Sequence, residues 1–349
     1  MNNINVVDLF AGCGGLSNGF EQAGFNILLG VDNDKDSKET FLANHKNSKY
    51  LLKDIRKTSY DDVKSLINNK KVHVLIGGPP CQGFSLSGKR VFLDPRNSLY
   101  IDYFRVLDML DPIVAVVENV TGLKTLYGGK ALQKIKEEFE QRKYNVTYKV
   151  LNADKYGVPQ SRKRIVIVAT KGSEFEFPKE HDKTVTLGEA ISDLPSLKNQ
   201  LSSTKYSSKT KNEYQQMMRL KTKDLANHEG TSHSENTKQI ISLVPEGGNY
   251  KNLPQHLQNT RKVHIAWTRL DSTKPSLTID TGHRHHFHPW ENRVPTVRES
   301  ARIQSFSDDF IFKGSKTSQY RQVGNAVPPL LAKAVALSVK RWLCDNKKV

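Results

Sequence analysis

Five short, predominantly apolar runs do most to limit what this chain can fold into. They are "INVVDLF" (4–10), "NILLGVD" (26–32), "VHVLIGG" (72–78), "IVAVVENV" (113–120) and "RIVIVAT" (164–170). Runs of this length, without polar alternation, suit strands buried on both faces. Helical patterns stand between them: "GGLSNGFEQAG", "SKETFLANH", "DDVKSLINN" after a shorter strand pattern at "YLLKDI", and "SLYIDYFRVLDML" with apolar residues mostly three and four apart. Strand, helix, strand in this order predicts the α/β class, with a mostly parallel sheet covered by helices on both sides.

The character changes after about residue 175, and 349 residues suit about two domains. "LSSTKYSSKTKNEYQQ" (201–216) is polar and aperiodic and reads as loop or insert, and nine of the eleven histidines fall between His181 and His288. "PPLLAKAVALSVKRWL" (328–343) regains a helical pattern with proline at its start, and is expected to return to the first lobe. Lys and Arg number 53 against 36 Asp and Glu, a net charge of +17, which favours a polyanionic partner over a merely soluble basic surface. Three dispersed cysteines, Cys13, Cys81 and Cys344, form no Cys-x-x-Cys pair, so neither a disulfide framework nor a cysteine zinc site is indicated. There is no signal-peptide pattern at "MNNINVVDLF" and no run of 18 apolar residues, which predicts a cytoplasmic protein without a membrane partner.

Two strand ends carry chemistry. After the first run comes "DLFAGCGG", in which Gly12, Gly14 and Gly15 permit a tight turn and close approach of a ligand. Asp32 ends the second run 20 residues after Gly12, the spacing of an acid that accepts hydrogen bonds from ribose hydroxyls. Together they point to a nucleoside cofactor. Ser17 stands where a dinucleotide fingerprint wants its third small residue, so a nicotinamide cofactor is the weaker reading, and a purely structural turn remains open.

The third run, "VHVLIGG", leads into "GGPPCQGFS" (77–85). Pro79 and Pro80 restrict the backbone before Cys81, and Gly83 lets it turn away after. An isolated cysteine is more often a small buried hydrophobe, but this setting suits a nucleophile. Glu118 follows four apolar residues, Val114 to Val117, surroundings that raise a carboxyl pKa and suit a proton donor; a loop acid or helix cap is the plainer alternative.

In these stretches the chain closely resembles the DNA (cytosine-5) methyltransferase family, of the bacterial restriction-modification type. "DLFAGCGG", "GGPPCQGFS", "ENV" (118–120), "QSRKR" (160–164), "RESARIQSF" (298–306) and "GNAVPP" (324–329) match its motifs in order, leaving out the variable middle. Ser307 departs from the proline usual after the phenylalanine, and Asp32 is shorter than the glutamate common in relatives. The resemblance implies a Rossmann-like catalytic domain over 1–178 and 320–349, a smaller loop-rich target recognition domain over 179–297, and a hinge over 298–319. It implies S-adenosylmethionine as cofactor, held by Phe10, Gly12, Gly14, Gly15, Asp32, Asp54, Pro80 and Asn325. Cys81 becomes the nucleophile at carbon 6 of cytosine, Glu118 assists at ring nitrogen 3, Arg164 contacts the base oxygen and Arg162 orients neighbouring groups. The partner implied is double-stranded DNA with the target base flipped out, beside a cognate restriction endonuclease reading the same site. No metal is implied: "HRHHFHP" (283–289) reads as a DNA-facing or packed cluster. An RNA cytosine methyltransferase and a DNA-binding protein without catalysis remain as alternatives.

Overall fold

The computed structural model describes residues 4–80, 98–220, 222–258, 267–282 and 286–349, so Cys81, Gln82, Gly83 and Ser85 lie outside the described residues. The chain divides into two compact units. One comprises Met1–Asn152, Lys163–Glu180 and Pro329–Val349; the other comprises Ala153–Arg162 and His181–Pro328.

The apolar runs form strands because a central strand has no face left for water. β1 (Asn5–Leu9), β2 (Asn26–Asp32), β3 (Lys49–Leu52), β4 (Val74–Gly77), β5 (Val114–Val120), β6 (Asn145–Asn152) and β7 (Lys163–Thr170) make one sheet, in the order β3-β2-β1-β4-β5-β7-β6. β1 to β5 run parallel to one another, and β7 is antiparallel to both β5 and β6. The mostly parallel α/β sheet expected from the sequence is therefore present. Interposed are α1 (Gly15–Gln22), α2 (Lys35–Asn44), α3 (Tyr60–Leu66), α4 (Ser98–Leu110) and α5 (Lys130–Gln141). α3 starts with a capping box, Ser59 and Asp62 each accepting from the other's backbone amide. Val7, Leu9, Leu29, Leu75, Val117 and Ile167 anchor the core at 1% exposure or less.

One strand escapes the sequence reading. β6 is one of the two edge strands, pairing with β7 alone, and most of its residues are exposed or half-buried. Thr147 and Lys149 break its apolar character, so the continuous-run signal of a central strand is missing.

The C-terminal helix, Pro329–Asp345, returns to this unit and packs on α1. Gly19 makes the contact possible: a β-carbon there would stand 2.6 Å from both the Lys333 nitrogen and the Pro329 oxygen. Backbone cannot move aside as a flexible side chain can. Gly19→Ala is therefore expected to cost about 2–3 kcal/mol of stability by forcing the helices apart, read as a lowered chemical-denaturation midpoint with little change in m-value.

The second unit holds α6 (Leu187–Ile191), α7 (Glu213–Arg219), α8 (Glu235–Ser242), α9 (Gln255–Gln258), α10 (Val297–Ile303), α11 (Lys316–Asn325) and a two-stranded pair, β8 (Thr268–Arg269) with β9 (His286–Phe287). α7 lies partly inside the segment read as loop. The Asn212 side chain caps it by accepting from the Gln215 amide, while Tyr214 and Met218 are buried, a contact pattern too short to register as a period. Its apolar cluster, Ile240, Ile241, Val244, Leu253, Trp267, Phe287 and Val294, is small. Buried charge supplements it, with Arg298 and Arg302 at 0% exposure. His286 and His288 are buried, and His288 Nδ1 accepts from the Trp290 and Glu291 amides at 3.2 Å. Among the described residues no group of three or more His, Cys, Asp or Glu is placed to hold a metal ion.

Candidate active site

Strand order locates the site in the first unit. From β1 the chain builds outward through β2 and β3; β4 then pairs on the other side of β1 and leads to β5. The carboxyl ends of β1 and β4 flank that reversal, where open parallel sheets leave a crevice for ligands. The glycine-rich turn leaves one end and the Pro79–Pro80 segment leaves the other.

The turn is built by left-handed backbone, with φ of 59° at Phe10, 52° at Gly12 and 92° at Gly14. Phe10 packs half-buried against the core. Gly14 takes the N-cap position of α1 and Gly15 its first helical position, and no side chain caps the helix. The helix N-terminus thus offers positive potential to a ligand, with the Ser17 amide already given to the Asp8 carboxylate. A β-carbon on Gly12 would meet nothing within 4 Å, so the turn is open there; on Gly14 it would overlap Phe41 and His45. Such an open cradle at a helix N-terminus fits a nucleoside-bearing cofactor.

Asp32 is already employed by the protein. Its Oδ2 accepts from the Gly12 amide at 2.9 Å, and its Oδ1 accepts from Asn33 and Asp34 at 2.7 and 3.1 Å. Burial pushes its pKa above the ordinary value, against the pull of those amides. Below it, Asp8 is buried on β1, and its Oδ2 accepts from the Ser17 hydroxyl at 2.6 Å. Burial lifts that carboxyl to about 7, while the Ser17 bond pulls the other way. The hydroxyl that spoiled the dinucleotide pattern is therefore the partner of a buried acid, a role that residue spacing does not reveal.

The second cluster stands at the ends of β4 and β5. Antiparallel pairing sets Val120 opposite Arg164 and Glu118 opposite Val166, so Arg164 and Glu118 are diagonal neighbours. The Arg164 Nε lies 2.9 Å from Glu118 Oε1, with side-chain exposures of 15% and 12%. Glu118 thus faces a cation, where the sequence suggests wholly apolar surroundings. A β-carbon on Gly78 would come within 3.4 Å of Glu118 Oε2, which places the carboxylate beside the chain leading toward residue 81. Asn119, which sequence reasoning passed over, is buried and donates to the Pro79 carbonyl at 2.6 Å and to the Tyr100 hydroxyl at 2.8 Å. Its place in "ENV" was the available signal.

The remaining residues are placed as follows. Asp54 caps a short 3-10 turn, Ile55–Lys57, and pairs with Arg56; the Arg56 bond holds its carboxyl below the ordinary range. Pro80 is exposed. Arg162 belongs to the second unit, where it donates to the carbonyls of Ile279 at 3.0 Å and Gly324 at 2.7 Å. Asn325 ends α11, exposed, in that same unit. Buried Gln160 accepts from the Ile279 amide at 2.9 Å and donates to Gln304 Oε1 at 2.6 Å; Gln304 in turn donates to the Val323 carbonyl at 2.7 Å. Gln160, Arg162, Gln304 and Gly324, drawn from the three late motifs, are thus tied together within one unit.

Comparison with known proteins gives a consistent result. The profile of the family described as C-5 cytosine-specific DNA methylase matches residues 4–341. Type II methyltransferase M1.HphI of Haemophilus parahaemolyticus is 41% identical over 342 residues, covering 97% of this chain and 87% of that protein. Type II methyltransferase M.DdeI of Desulfomicrobium norvegicum is 37% identical, covering 98% and 90%. Among solved structures, one described as a DNA modification methyltransferase encoded within a prophage of E. coli superposes with a TM-score of 0.81 at 27% identity, covering 98% of this chain and all of that one. The S. pombe Dnmt2 methyltransferase shares the fold, with a TM-score of 0.62 at 16% identity and 99% of each chain covered.

Proposed function

The chain belongs to the C-5 cytosine-specific DNA methylase family of restriction-modification methyltransferases, and on that premise we propose that it methylates carbon 5 of a flipped-out cytosine in a short duplex sequence, using S-adenosylmethionine and a covalent Cys81 adduct. One observation carries the reading: an open glycine turn follows β1, and a half-buried Glu118–Arg164 pair stands on β5 and β7, beyond β4, on the other side of the sheet's topological switch point.

Each residue then has a task. Gly12, Gly14 and Gly15 bring backbone amides against the cofactor, Phe10 and Pro80 pack beside it, Asp32 and Asp54 meet its ribose and adenine, and Asn325 orders its methionine end. Bound there, S-adenosylmethionine supplies an electrophilic methyl group. Carbon 5 of cytosine is a weak nucleophile, and bonding of the Cys81 thiolate to carbon 6 raises its electron density. Glu118 holds a proton at ring nitrogen 3, so charge does not build on the ring, while Arg164 meets the base oxygen and steadies Glu118. Loss of the carbon-5 proton and departure of the thiolate restore the aromatic ring. Arg162 acts as a positioning residue through the two carbonyls it holds. Extrusion of the base costs a few kcal/mol, least where pairing is weak. The segment 179–297 carries target recognition, 298–319 the hinge, and a cognate endonuclease reading the same site is the functional partner in the bacterial cytoplasm. Among the described residues no helix is long and apolar enough to cross a membrane.

The test is base-resolution mapping of 5-methylcytosine on a mixed-sequence plasmid incubated with the protein and S-adenosylmethionine, with Cys81→Ser in parallel. Methylation at one short recurring sequence, absent with the variant, is expected. No methylation of duplex DNA rejects the proposal and directs the same assay to labelled transfer RNA.

A further inference from the structure

Neither the glycine pattern nor the family motifs point to His45, yet it packs directly on the cofactor turn. His45 follows the last residue of α2 and is 1% exposed. Its ring and Phe41 fill the space a β-carbon on Gly14 would need, and the two rings lie 4.3 Å apart, centroid to centroid. On another edge, His45 Nδ1 is 2.6 Å from Oε2 of Glu21, in the last turn of α1. α2 therefore reaches the turn from both ends. Its N-cap, Asp34, donates its amide to Asp32, whose other oxygen accepts from Gly12; its far end delivers His45 onto Gly14.

We propose that His45, held in place by Glu21, is a positioning residue for methyl-donor binding: its ring fixes Gly14 in the left-handed conformation that aims the N-terminus of α1 at the cofactor. A turn ordered during folding does not have to be ordered during binding, so its benefit appears as affinity. Once the cofactor is bound the turn is held from both sides, and the chemical step gains nothing further from the histidine. The effect therefore falls on KM and Kd for the donor and leaves kcat at saturating donor in place. This inference rests on the reading that the turn holds S-adenosylmethionine.

The experiment measures calorimetric Kd for S-adenosylmethionine, and KM and kcat on plasmid DNA, for the wild type, His45→Ala, Glu21→Ala and Glu21→Gln. Loss of the ring contact or of its carboxylate anchor is expected to raise Kd and KM by about tenfold in the alanine variants. Glu21→Gln keeps an acceptor for the ring N–H and is expected to retain most of the affinity. A merely structural role would lower the melting temperature without this split or this rescue. Should His45→Ala fail to fold, the half-exposed Glu21 carries the comparison. Unchanged donor affinity in both alanine variants, or a fall in kcat with KM constant, overturns the inference while leaving the donor reading intact. Wild-type protein that binds no S-adenosylmethionine overturns both.

Discussion

Glu118→Ala is expected to slow methyl transfer by roughly 10²–10⁴-fold, the usual worth of a positioned proton-transfer group, while duplex binding persists. The carboxylate sits near the end of a largely buried strand, and only 12% of its side chain meets solvent. Gly78 leaves it room on one side, and Arg164 orients it from the other at 2.9 Å. Arg164→Lys keeps a charge but loses the planar fork and shortens the reach to Glu118. A misplacement of about 1 Å costs on the order of a hundredfold in rate, so this variant is expected to be slow even at saturating DNA and donor. Single-turnover rates by tritiated methyl incorporation, beside gel-shift affinities, separate the two effects. A Glu118→Ala rate equal to wild type would remove this carboxylate from the chemistry. A Glu118→Ala protein that no longer binds DNA would make it part of the interface instead.

That pair also marks how far the sequence could be read. Glu118 and Arg164 were both legible, each in its own motif, but their contact depends on β7 running antiparallel between β5 and the edge strand β6. Local pattern carries no information on that inversion: a central antiparallel strand and a central parallel one are equally apolar. Arg162 and Arg164 stand two apart, the spacing of one strand face, yet only Arg164 lies on the strand. β7 begins at Lys163, and Arg162 belongs with the chain before it, in another unit. Asp32 was legible by its distance from Gly12, yet its grip on the Gly12 amide was not, because a spacing rule describes a ligand contact and is silent about the turn's own hydrogen bonds. The parallel sheet was the most legible feature, since buried strands must be continuously apolar, and β6 was the least, being free to mix polar residues at the edge.

The largest expected loss of stability lies in the second unit, at Arg302→Met. Arg302 is fully buried and donates to both oxygens of Asp308 at 2.6 Å, to Asp193 at 3.1 Å and to the Ala190 carbonyl at 2.8 Å. Asp193 has a second cation in Arg219 at 2.7 Å, whereas the Arg298 guanidinium stays 3.8 Å from Asp308 and spends its donors on the Ala226, Ser307 and Phe310 carbonyls. Removing Arg302 therefore leaves Asp308 buried without its main counter-charge, a change worth about 3–5 kcal/mol. Arg302→Met with Asp308→Leu is expected to recover part of that loss, because a desolvated pair replaced as a whole leaves no stranded charge. The same network sets the acid limit. For Asp308 burial raises the pKa but the Arg302 bonds and charge outweigh it, and for Glu299 burial is likewise outweighed by Arg293, so both lie below the ordinary carboxylate value. A carboxylate depressed in the folded state stabilises it in full above its unfolded pKa of about 4, and that stability is lost as pH falls through the folded value. The contribution of this network to the melting temperature is thus expected to be complete above about pH 5 and to fall steeply below pH 4 in the wild type. In Arg302→Met it is expected to start lower and depend less on acid, since the cation that kept Asp308 ionised is gone. An equally steep acid limb in the variant would show that Glu299 and Arg293, and not Asp308 with Arg302, govern the acid response.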